Sequence, residues 1–233
     1  MYVVDSQKSW SELASSSLLL KAVSSWRKDP ESWLEGSFER LPETVRVNPL
    51  RTDSKWVEEW ISEQGGKPVP WFMGPGTAWE MPFSRGLAAG KTREMLIALH
   101  ETGRITRQEI VSMIPVLALQ VSAGDYVLDM CASPGSKTTQ ISECLGEDGV
   151  GFANEISNSR ANTLVSNVHR HGSKSAVVIN HDGRYLPNMP NHGFDKVLVD
   201  APCTGSATTR KNPEVWHKLS LIHISEPTRR IHI

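Results

Sequence analysis

The sequence has few cysteines, no long apolar run and no secretory signal. Its three cysteines have no regular spacing, which argues against a disulfide framework and favours a reducing compartment. The longest apolar stretches, such as Ile114–Val121, are far too short to span a membrane. Met1–Trp10 lacks a basic start followed by an apolar segment. These absences predict an intracellular protein of the nucleus or cytoplasm.

The sequence also lacks an excess of charge of either sign. With 25 basic and 26 acidic residues, the formal net charge is −1, so no overall field would attract a polyanion. A nucleic acid would have to be held by local basic patches, and the composition neither supports nor excludes one. The 233 residues, 39% of them hydrophobic, suffice for one large or two small domains with a substantial core.

Residues 1–92 show a mixed pattern that predicts a small α+β domain and a linker. Trp10–Arg27 has helical apolar spacing, Thr44–Leu50 begins with β-type alternation, and a capping cluster precedes a helix over Lys55–Gln64. Seven of the eight tryptophans lie before residue 80. We interpret them mainly as core residues, and the alternative is that some are platforms on which bases stack.

From residue 93 onward the pattern becomes more regular. A helix is predicted over Arg93–Thr102, and Thr106-Arg107-Gln108-Glu109 fits a capping box that would start a second helix, kinked near Pro115. Strands and helices then alternate, which predicts parallel strands with right-handed crossovers. The predicted strands are Tyr126–Met130, Gly149–Asn154, Ser175–Asn180 and Asp195–Val199, and the helices between them are Lys137–Leu145 and Ser157–His171.

The first of these strands ends in a small loop that opens directly onto a helix. The loop comprises Ala132, Ser133, Pro134, Gly135 and Ser136. Free backbone N–H groups at a helix start can hold an anionic or carboxylate group. An ordinary strand-to-helix turn is the alternative for this loop taken alone.

Carboxylates at the following strand ends favour a bound nucleoside over an ordinary turn. Glu155 follows Gly135 by about 20 residues, at the distance expected of an acceptor for both ribose hydroxyls. Asp182 ends the third strand, where it can accept from an adenine amino group, and Asp200 ends the fourth. Because the full G-x-G-x-x-G fingerprint is missing, S-adenosylmethionine fits better than NAD.

The segment Asp200-Ala201-Pro202-Cys203 places a carboxylate and a thiol at the same strand end. A thiolate that adds to C6 of cytosine converts C5 into a nucleophile, and a carboxylate on the N3/N4 edge favours that addition. The pair therefore indicates methyl transfer to cytosine C5. The alternative for Cys203 is a buried small hydrophobe, which is also our interpretation of Cys131 and Cys144.

Several motifs together resemble one family. DMCASPGSKTTQ, NHDGRYLP, FDKVLVDAPCTGSATTRKNPEVW, RQEIVSMIPVLAL and TVRVNPLR are similar to segments of the Sun (NSUN) family of RNA cytosine-C5 methyltransferases. The resemblance covers about residue 40 to Trp216 and is closest to the eukaryotic tRNA-modifying branch. It implies a Rossmann-like methyltransferase core over residues 93–217, of which the first four strands are present, behind an RNA-binding type of N-terminal domain.

The resemblance also implies roles for individual residues. Ala132–Lys137, Glu155, Asp182 and Asp200 would bind S-adenosylmethionine. Lys137 and Asp200 would in addition border the target cytosine, and Cys203 would be the auxiliary cysteine that helps to release the product. The implied partner is RNA, with tRNA expected and rRNA as the alternative, and we predict no metal site and no membrane partner.

The chain departs from the family pattern after Trp216. The family's nucleophile is a second cysteine in a Thr-Cys-Ser motif on a later strand, and no cysteine follows Cys203 in this sequence. Residues 218–233 match nothing that the fold requires, so we predict an unrelated tail after an incomplete core. The chain itself is then expected to be inactive, and its fourth strand to be an exposed apolar edge.

Two other functions stay open at this level. One is a non-catalytic module, descended from such an enzyme, that binds RNA or cofactor. The other is a methyltransferase for a protein or a small molecule, which Asp200-Ala201-Pro202-Cys203 and Arg46–Arg51 disfavour. Basic residues near the predicted site are candidate phosphate ligands, with solvated surface charge as the alternative. They are Arg46, Arg51, Arg107, Arg210 and Lys211.

Overall fold

The computed structural model describes residues 18–186, 193–203, 205, 208 and 210. These residues fall into two units, divided between Arg40 and Leu41 and again between Ala201 and Pro202. The start of the helix predicted over Trp10–Arg27, the phosphate ligand proposed at Lys211 and the predicted tail over residues 218–233 lie outside the described residues. Within the described residues, no helix is long and apolar enough to cross a membrane.

The described residues of the first unit include two short helices, α1 (Leu18–Ser24) and α2 (Pro30–Gly36). Pro30 is the first residue of α2, where its missing N–H costs no hydrogen bond. Trp26 and Trp33 meet edge to face with their ring centroids 5.8 Å apart, and the Arg27 guanidinium lies about as far from each ring. Aromatic contact and cation–π attraction therefore join the two helices.

The second unit begins with an antiparallel sheet in the order β2-β3-β1-β4. Its elements are β1 (Pro42–Val47), α3 (Ser54–Glu63), β2 (Lys67–Pro68), β3 (Thr77–Ser84), α4 (Gly90–Glu101) and β4 (Ile105–Arg107). Val45 and Val47 of β1 pack against Ile61 of α3 and Leu96 of α4, all of them buried. The sheet continues past residue 92, and the domain boundary expected there stays a prediction.

The tryptophans of this region divide between core and surface. Trp60 and Trp79 pack against the buried cluster, in keeping with our main interpretation. Trp56 and Trp71 are instead 47% and 42% exposed. Sequence spacing did not separate the two groups, because Trp56 and Trp60 are one turn apart on the same helix.

The predicted capping box is wrong. Thr106 belongs to β4 and pairs with Arg46, so it lies in the sheet and not at the start of a helix. The cap is Glu109, whose carboxylate accepts the N–H groups of Val111 and Ser112 at the start of a 3₁₀ helix over Ile110–Met113. Pro115 then stands in the first turn of the next helix, α5 (Ile114–Leu119), and marks its start where a kink was expected.

A parallel sheet in the order β7-β6-β5-β8 completes the second unit. Its elements are β5 (Tyr126–Asp129), α6 (Ser136–Leu145), β6 (Val150–Asn154), α7 (Asn158–His171), β7 (Ala176–Ile179) and β8 (Lys196–Leu198). All three strand pairs are parallel, which confirms the predicted α/β arrangement. The strand order reverses between β5 and β8, where open α/β sheets bind ligands at the carboxyl ends of their strands.

Apolar side chains of β5 and α6 fill the space beneath this sheet. Val127, Ile141 and Leu145 are almost fully buried and pack with Leu198 of β8. Among the described residues β8 pairs with β5 alone, and Val197 and Val199 are 43% and 56% exposed. The outer side of β8 is therefore apolar and open in the described part of the chain.

A buried cluster of polar side chains joins the antiparallel sheet to the helices of the parallel one. Arg46 of β1 and Glu143 of α6 are fully buried, and the guanidinium Nε lies 2.9 Å from a carboxylate oxygen. Arg46 also donates to Thr139 at 2.9 Å and to Gln108. His171, at the end of α7, lies 2.9 Å from the other oxygen of Glu143. Every charge in the cluster thus has a partner.

We predict that Arg46→Met destabilises the protein strongly. The substitution leaves the Glu143 carboxylate buried without its cation, which costs about 3–5 kcal/mol in the free energy of unfolding. Urea denaturation followed by circular dichroism measures this cost.

Arg104→Met is the matched control. Arg104 pairs with Asp53 at 2.6 Å, but both side chains are 35% exposed, so this loss should cost about 1 kcal/mol or less. Equal losses for the two variants would contradict the structural role of the buried pair.

Candidate functional site

The loop after β5 is held by hydrogen bonds from the neighbouring strand and helix. The Ala132 N–H donates to the Asn154 carbonyl at 2.8 Å. Ser133 exchanges two hydrogen bonds of 3.0 Å with Arg160, one through its hydroxyl and one through its carbonyl. The Asn167 side chain donates to the Pro134 carbonyl at 2.6 Å. The loop is therefore fixed before any ligand arrives.

Gly135 allows this loop to turn into α6. Its φ is +107°, which L side chains rarely adopt, and an added Cβ would lie 2.8 Å from a methyl group of Leu164. Gly135 is also the N-cap of α6 and supplies no side-chain acceptor. The first N–H groups of the helix are consequently left for another partner, as the sequence pattern predicted.

Asp129 is a buried carboxylate directly in front of the loop. It is 2% exposed, and one of its oxygens accepts from the Thr138 hydroxyl at 2.7 Å. The other oxygen has no hydrogen-bond partner among the described residues. Burial raises the pKa of Asp129 to about 6, against the opposing effect of Thr138 and Lys137.

Sequence reasoning had not counted Asp129 as a site residue. The available signal was its position as a charged residue at the end of an apolar strand, immediately before the loop. Asn154 was missed as well, and it donates to the carbonyls of Met130 and His181 at 3.0 Å each. It thereby ties the ends of two neighbouring strands together.

Glu155 follows β6 and is 3% exposed. One carboxylate oxygen accepts the N–H of Ser157 at 3.0 Å, and the other lies 3.4 Å from the guanidinium of Arg160. Arg160 is itself 53% exposed, so it covers the carboxylate from the solvent side. The predicted cofactor ligand is thus present at the strand end, with its charge balanced.

Asp182 caps a 3₁₀ helix over Gly183–Tyr185. Both of its oxygens accept from the Arg184 guanidinium, with Nε 2.8 Å from one of them. The hydrogen bonds from Arg184 lower the pKa of Asp182 to about 2. Asp182 is therefore ionised at neutral pH and already paired.

Lys137 and Asp200 meet across the gap between α6 and β8. The Lys137 ammonium lies 2.8 Å from a carboxylate oxygen of Asp200. Lys137 is 16% exposed and Asp200 is 59% exposed, so the carboxylate faces solvent while the cation lies behind it. The structure brings these two predicted residues together, and their role toward cytosine stays a prediction.

The cysteines differ in their surroundings. Burial raises the pKa of Cys131, and it raises the pKa of Cys144 to about 11. Cys203 is exposed, and its sulfur accepts a hydrogen bond from the Gly205 N–H at 3.4 Å. Cys203 belongs to the first unit and Asp200 to the second. The position of Cys203 beside the base therefore stays a prediction.

One of the proposed phosphate ligands is contradicted by the structure, and three others have protein partners. Arg46 is fully buried in the ion cluster and has no access to solvent. Arg51 donates to the Arg170 carbonyl at 2.9 Å, Arg107 pairs with Glu43, and Arg210 donates to a carbonyl at 2.8 Å. Their positive charges were visible in the sequence, but these internal partners were not.

Comparison with known proteins identifies the relatives of this chain. The family model described as 16S rRNA methyltransferase RsmB/F matches residues 116–226. The chain is 33% identical over 259 residues to a multisite-specific tRNA:(cytosine-C(5))-methyltransferase of Saccharomyces cerevisiae, covering 90% of this chain and 36% of the relative. It is 36% identical over 203 residues to ribosomal RNA small subunit methyltransferase F of Vibrio campbellii, covering 84% and 41%.

A solved structure shares the fold. The crystal structure of a methyltransferase homolog protein from Pyrococcus horikoshii aligns with a TM-score of 0.61 and 28% identity, over 81% of this chain and 60% of that one. This likeness confirms the predicted methyltransferase fold. The chain spans 36% and 41% of the length of the two relatives named above.

We predict that Asp129→Asn stabilises the unliganded protein above pH 6. The pKa of Asp129 is about 6 in the folded protein, and the ordinary value for an aspartate, which applies to the unfolded chain, is 3.8. The folded state therefore holds the proton more tightly, and the wild type loses stability as the pH rises from about 4 to 6. Above that range the variant should be more stable by on the order of 2 kcal/mol.

Urea denaturation at pH 4, 5, 6 and 7.5 tests this expectation. The advantage of Asp129→Asn should shrink as the pH falls. Asp148→Asn, on the exposed turn after α6, is the matched control for the exchange itself. A pH-independent difference, or a loss of stability at pH 7.5, would contradict the assignment of a destabilising buried charge.

Proposed function

We propose, because the chain belongs to the RsmB/F family of methyltransferases, that the parent enzyme of this chain methylates C5 of cytosine in RNA with S-adenosylmethionine, while the 233-residue chain by itself is inactive. The observation that carries the proposal is the set of carboxylates at the carboxyl edge of the parallel sheet. Asp129, Glu155, Asp182 and Asp200 all follow or end its strands, beside a loop that leaves the first N–H groups of α6 free.

The residues at this edge suit S-adenosylmethionine, which supplies an electrophilic methyl group when bound. The unpartnered oxygen of Asp129 offers an acceptor to a cationic group. The loop over residues 132–137 would hold the amino-acid part, Glu155 the ribose hydroxyls and Asp182 the adenine amino group. Arg160 and Arg184 pair with these last two carboxylates. When the cofactor binds, each arginine must move away or share its carboxylate with the cofactor.

The Lys137–Asp200 pair is proposed to receive the target cytosine. Asp200 has the exposure needed to reach a base, and its carboxylate would accept from the N4 amino group and favour a proton on N3. Lys137 lies behind the carboxylate at 2.8 Å and holds it in place. The pair thus orients the base and draws electron density away from C6, where a thiolate adds.

Cys203 is proposed to act in product release. In the reaction that we propose, a thiolate bonds to C6, C5 takes the methyl group, and removal of the C5 proton expels the thiolate again. The resemblance assigns the attack to a cysteine of a Thr-Cys-Ser motif, and the chain contains no such motif. Cys203 would then assist the elimination step.

We propose tRNA as the substrate. The yeast relative, named for tRNA, matches 90% of the chain, and the Vibrio relative, named for ribosomal RNA, matches 84%. Ribosomal RNA is therefore the second candidate. The two are separated by measuring the affinity of the chain for purified tRNA and for ribosomal RNA in parallel, and tighter binding of ribosomal RNA would contradict the choice of tRNA.

We predict that Glu155→Gln weakens the binding of S-adenosylmethionine. Glutamine can still accept the Ser157 N–H, but it loses the charge-assisted bonds to the ribose, each worth about 1.5–3 kcal/mol. Asp182→Asn should cost less, since one acceptor oxygen survives for the adenine amino group. Isothermal titration calorimetry with the full chain measures both effects.

Glu94→Gln, on the exposed face of α4, is the matched control and should bind like the wild type. An unchanged affinity for Glu155→Gln would remove Glu155 from the site. Circular dichroism of each variant shows whether the fold is retained.

We further predict that the 233-residue chain forms no 5-methylcytidine. Burial raises the pKa of Cys131 and of Cys144, so both thiols are poor nucleophiles at neutral pH. Cys203 is then the one remaining thiol of the sequence. Bulk RNA is incubated with the chain and labelled S-adenosylmethionine and then digested to nucleosides. Labelled 5-methylcytidine above a Cys203→Ala control would show that Cys203 attacks the base.

A further inference from the structure

A polar cavity of about 170 Å³ lies between the antiparallel sheet and the helices α6 and α7, beside the loop before α6. Residues of β4 and of the end of α4 form one wall, and the loop with α6 and α7 forms the other. The lining residues are His100, Gly103, Ile105, Thr106, Arg107, Pro134, Gly135, Ser136, Thr139, Asn167, Arg170 and His171. A water molecule occupies about 30 Å³ of liquid volume, so this space holds more than isolated waters.

The lining contains two arginines and no carboxylate. Arg107 is paired with Glu43, which is 1% exposed and lies behind it. The Arg170 guanidinium makes no hydrogen bond or ion pair with any residue that the structure describes. The Thr106 hydroxyl likewise has no hydrogen-bond partner within the described residues. The cavity therefore offers one free guanidinium and one free hydroxyl donor.

His100 lines the cavity, and the charges of neighbouring residues act on it. Burial is the main cause that lowers the pKa of His100, and the charge of Arg170 lowers it further. The hydrogen bond with the Ile105 carbonyl and the charge of Glu101 oppose this shift, and Arg107 adds only a smaller lowering. The N-terminus of α6, which carries a partial positive charge, adds to the potential at Gly135 and Ser136. With the unpaired guanidinium of Arg170 and no carboxylate in the lining, the cavity favours an anion.

We propose that this cavity binds one phosphate group of the RNA backbone, with Arg170 as its principal ligand. The proposal rests on the proposed function in taking RNA as the source of the phosphate. Phosphate contacts position a nucleic acid without reading its sequence. A phosphate held here, next to the cofactor loop, would fix the strand relative to the site at the edge of the parallel sheet.

The first arm of the test uses inorganic phosphate and the full chain. The thermal midpoint of the wild type should rise by about 2 °C in phosphate relative to chloride at equal ionic strength. Arg170→Gln should lose most of this rise. Arg93→Gln, which removes an exposed arginine of α4 outside the cavity, should respond like the wild type. Equal responses of all three proteins would overturn the site.

The second arm uses tRNA and identifies the source of the phosphate. The dependence of log affinity on log salt should be shallower by about 0.9 for Arg170→Gln, since one phosphate contact is lost. Arg93→Gln should keep the wild-type slope. A response to inorganic phosphate with an unchanged tRNA slope would overturn the RNA assignment and leave a site for free phosphate.

The two arms separate this proposal from the proposed function. If neither the wild type nor Arg93→Gln binds tRNA, the proposed substrate fails, while the phosphate arm still decides whether the cavity is an anion site. If both bind tRNA and Arg170→Gln differs in neither arm, the cavity proposal alone fails. Circular dichroism of Arg170→Gln shows whether this variant keeps the fold.

Discussion

The buried pair between Arg46 and Glu143 is the constraint on which the rest of the second unit depends. It joins the central strand of the antiparallel sheet to α6, and Arg46 also donates to the Ser136 carbonyl at 3.3 Å, at the start of that helix. An arginine in this place cannot shift without leaving two charges unpaired in a dry interior, so the contact tolerates little movement. The helix that carries the cofactor loop is therefore positioned by the sheet.

The carboxyl edge of the parallel sheet shows a second regularity. Three of its carboxylates are held by cations on flexible side chains, since Glu155 meets Arg160, Asp182 meets Arg184 and Asp200 meets Lys137. Each of these cations balances the negative charge of its carboxylate while no ligand is present. One partner of each pair is exposed, namely Arg160, Arg184 and Asp200, so solvent can replace part of the interaction when a ligand donor takes the place of the side-chain cation.

The sequence predicted the parallel sheet well and the contacts between the two sheets poorly. Strand ends, the loop and the acidic residues follow from local patterns, because periodicity and turn chemistry act over a few residues. The role of Arg46 depends on Glu143, which lies 97 residues away, and no local pattern reports such a partner. The capping box at Thr106 failed for the same reason, since pairing with β1 competes for its backbone groups.

The positions where local rules are broken coincide with the candidate site. Asp129 is a buried charge with one oxygen unpartnered, and Gly135 holds a backbone conformation that other residues avoid. The buried charge costs stability in the unliganded protein, and folds retain such features where a ligand compensates for them. A cationic group beside Asp129 would remove the cost of its charge, and an anionic group at the start of α6 would use the donors that Gly135 leaves free. The edge of the sheet is thus arranged for a ligand that carries both charges.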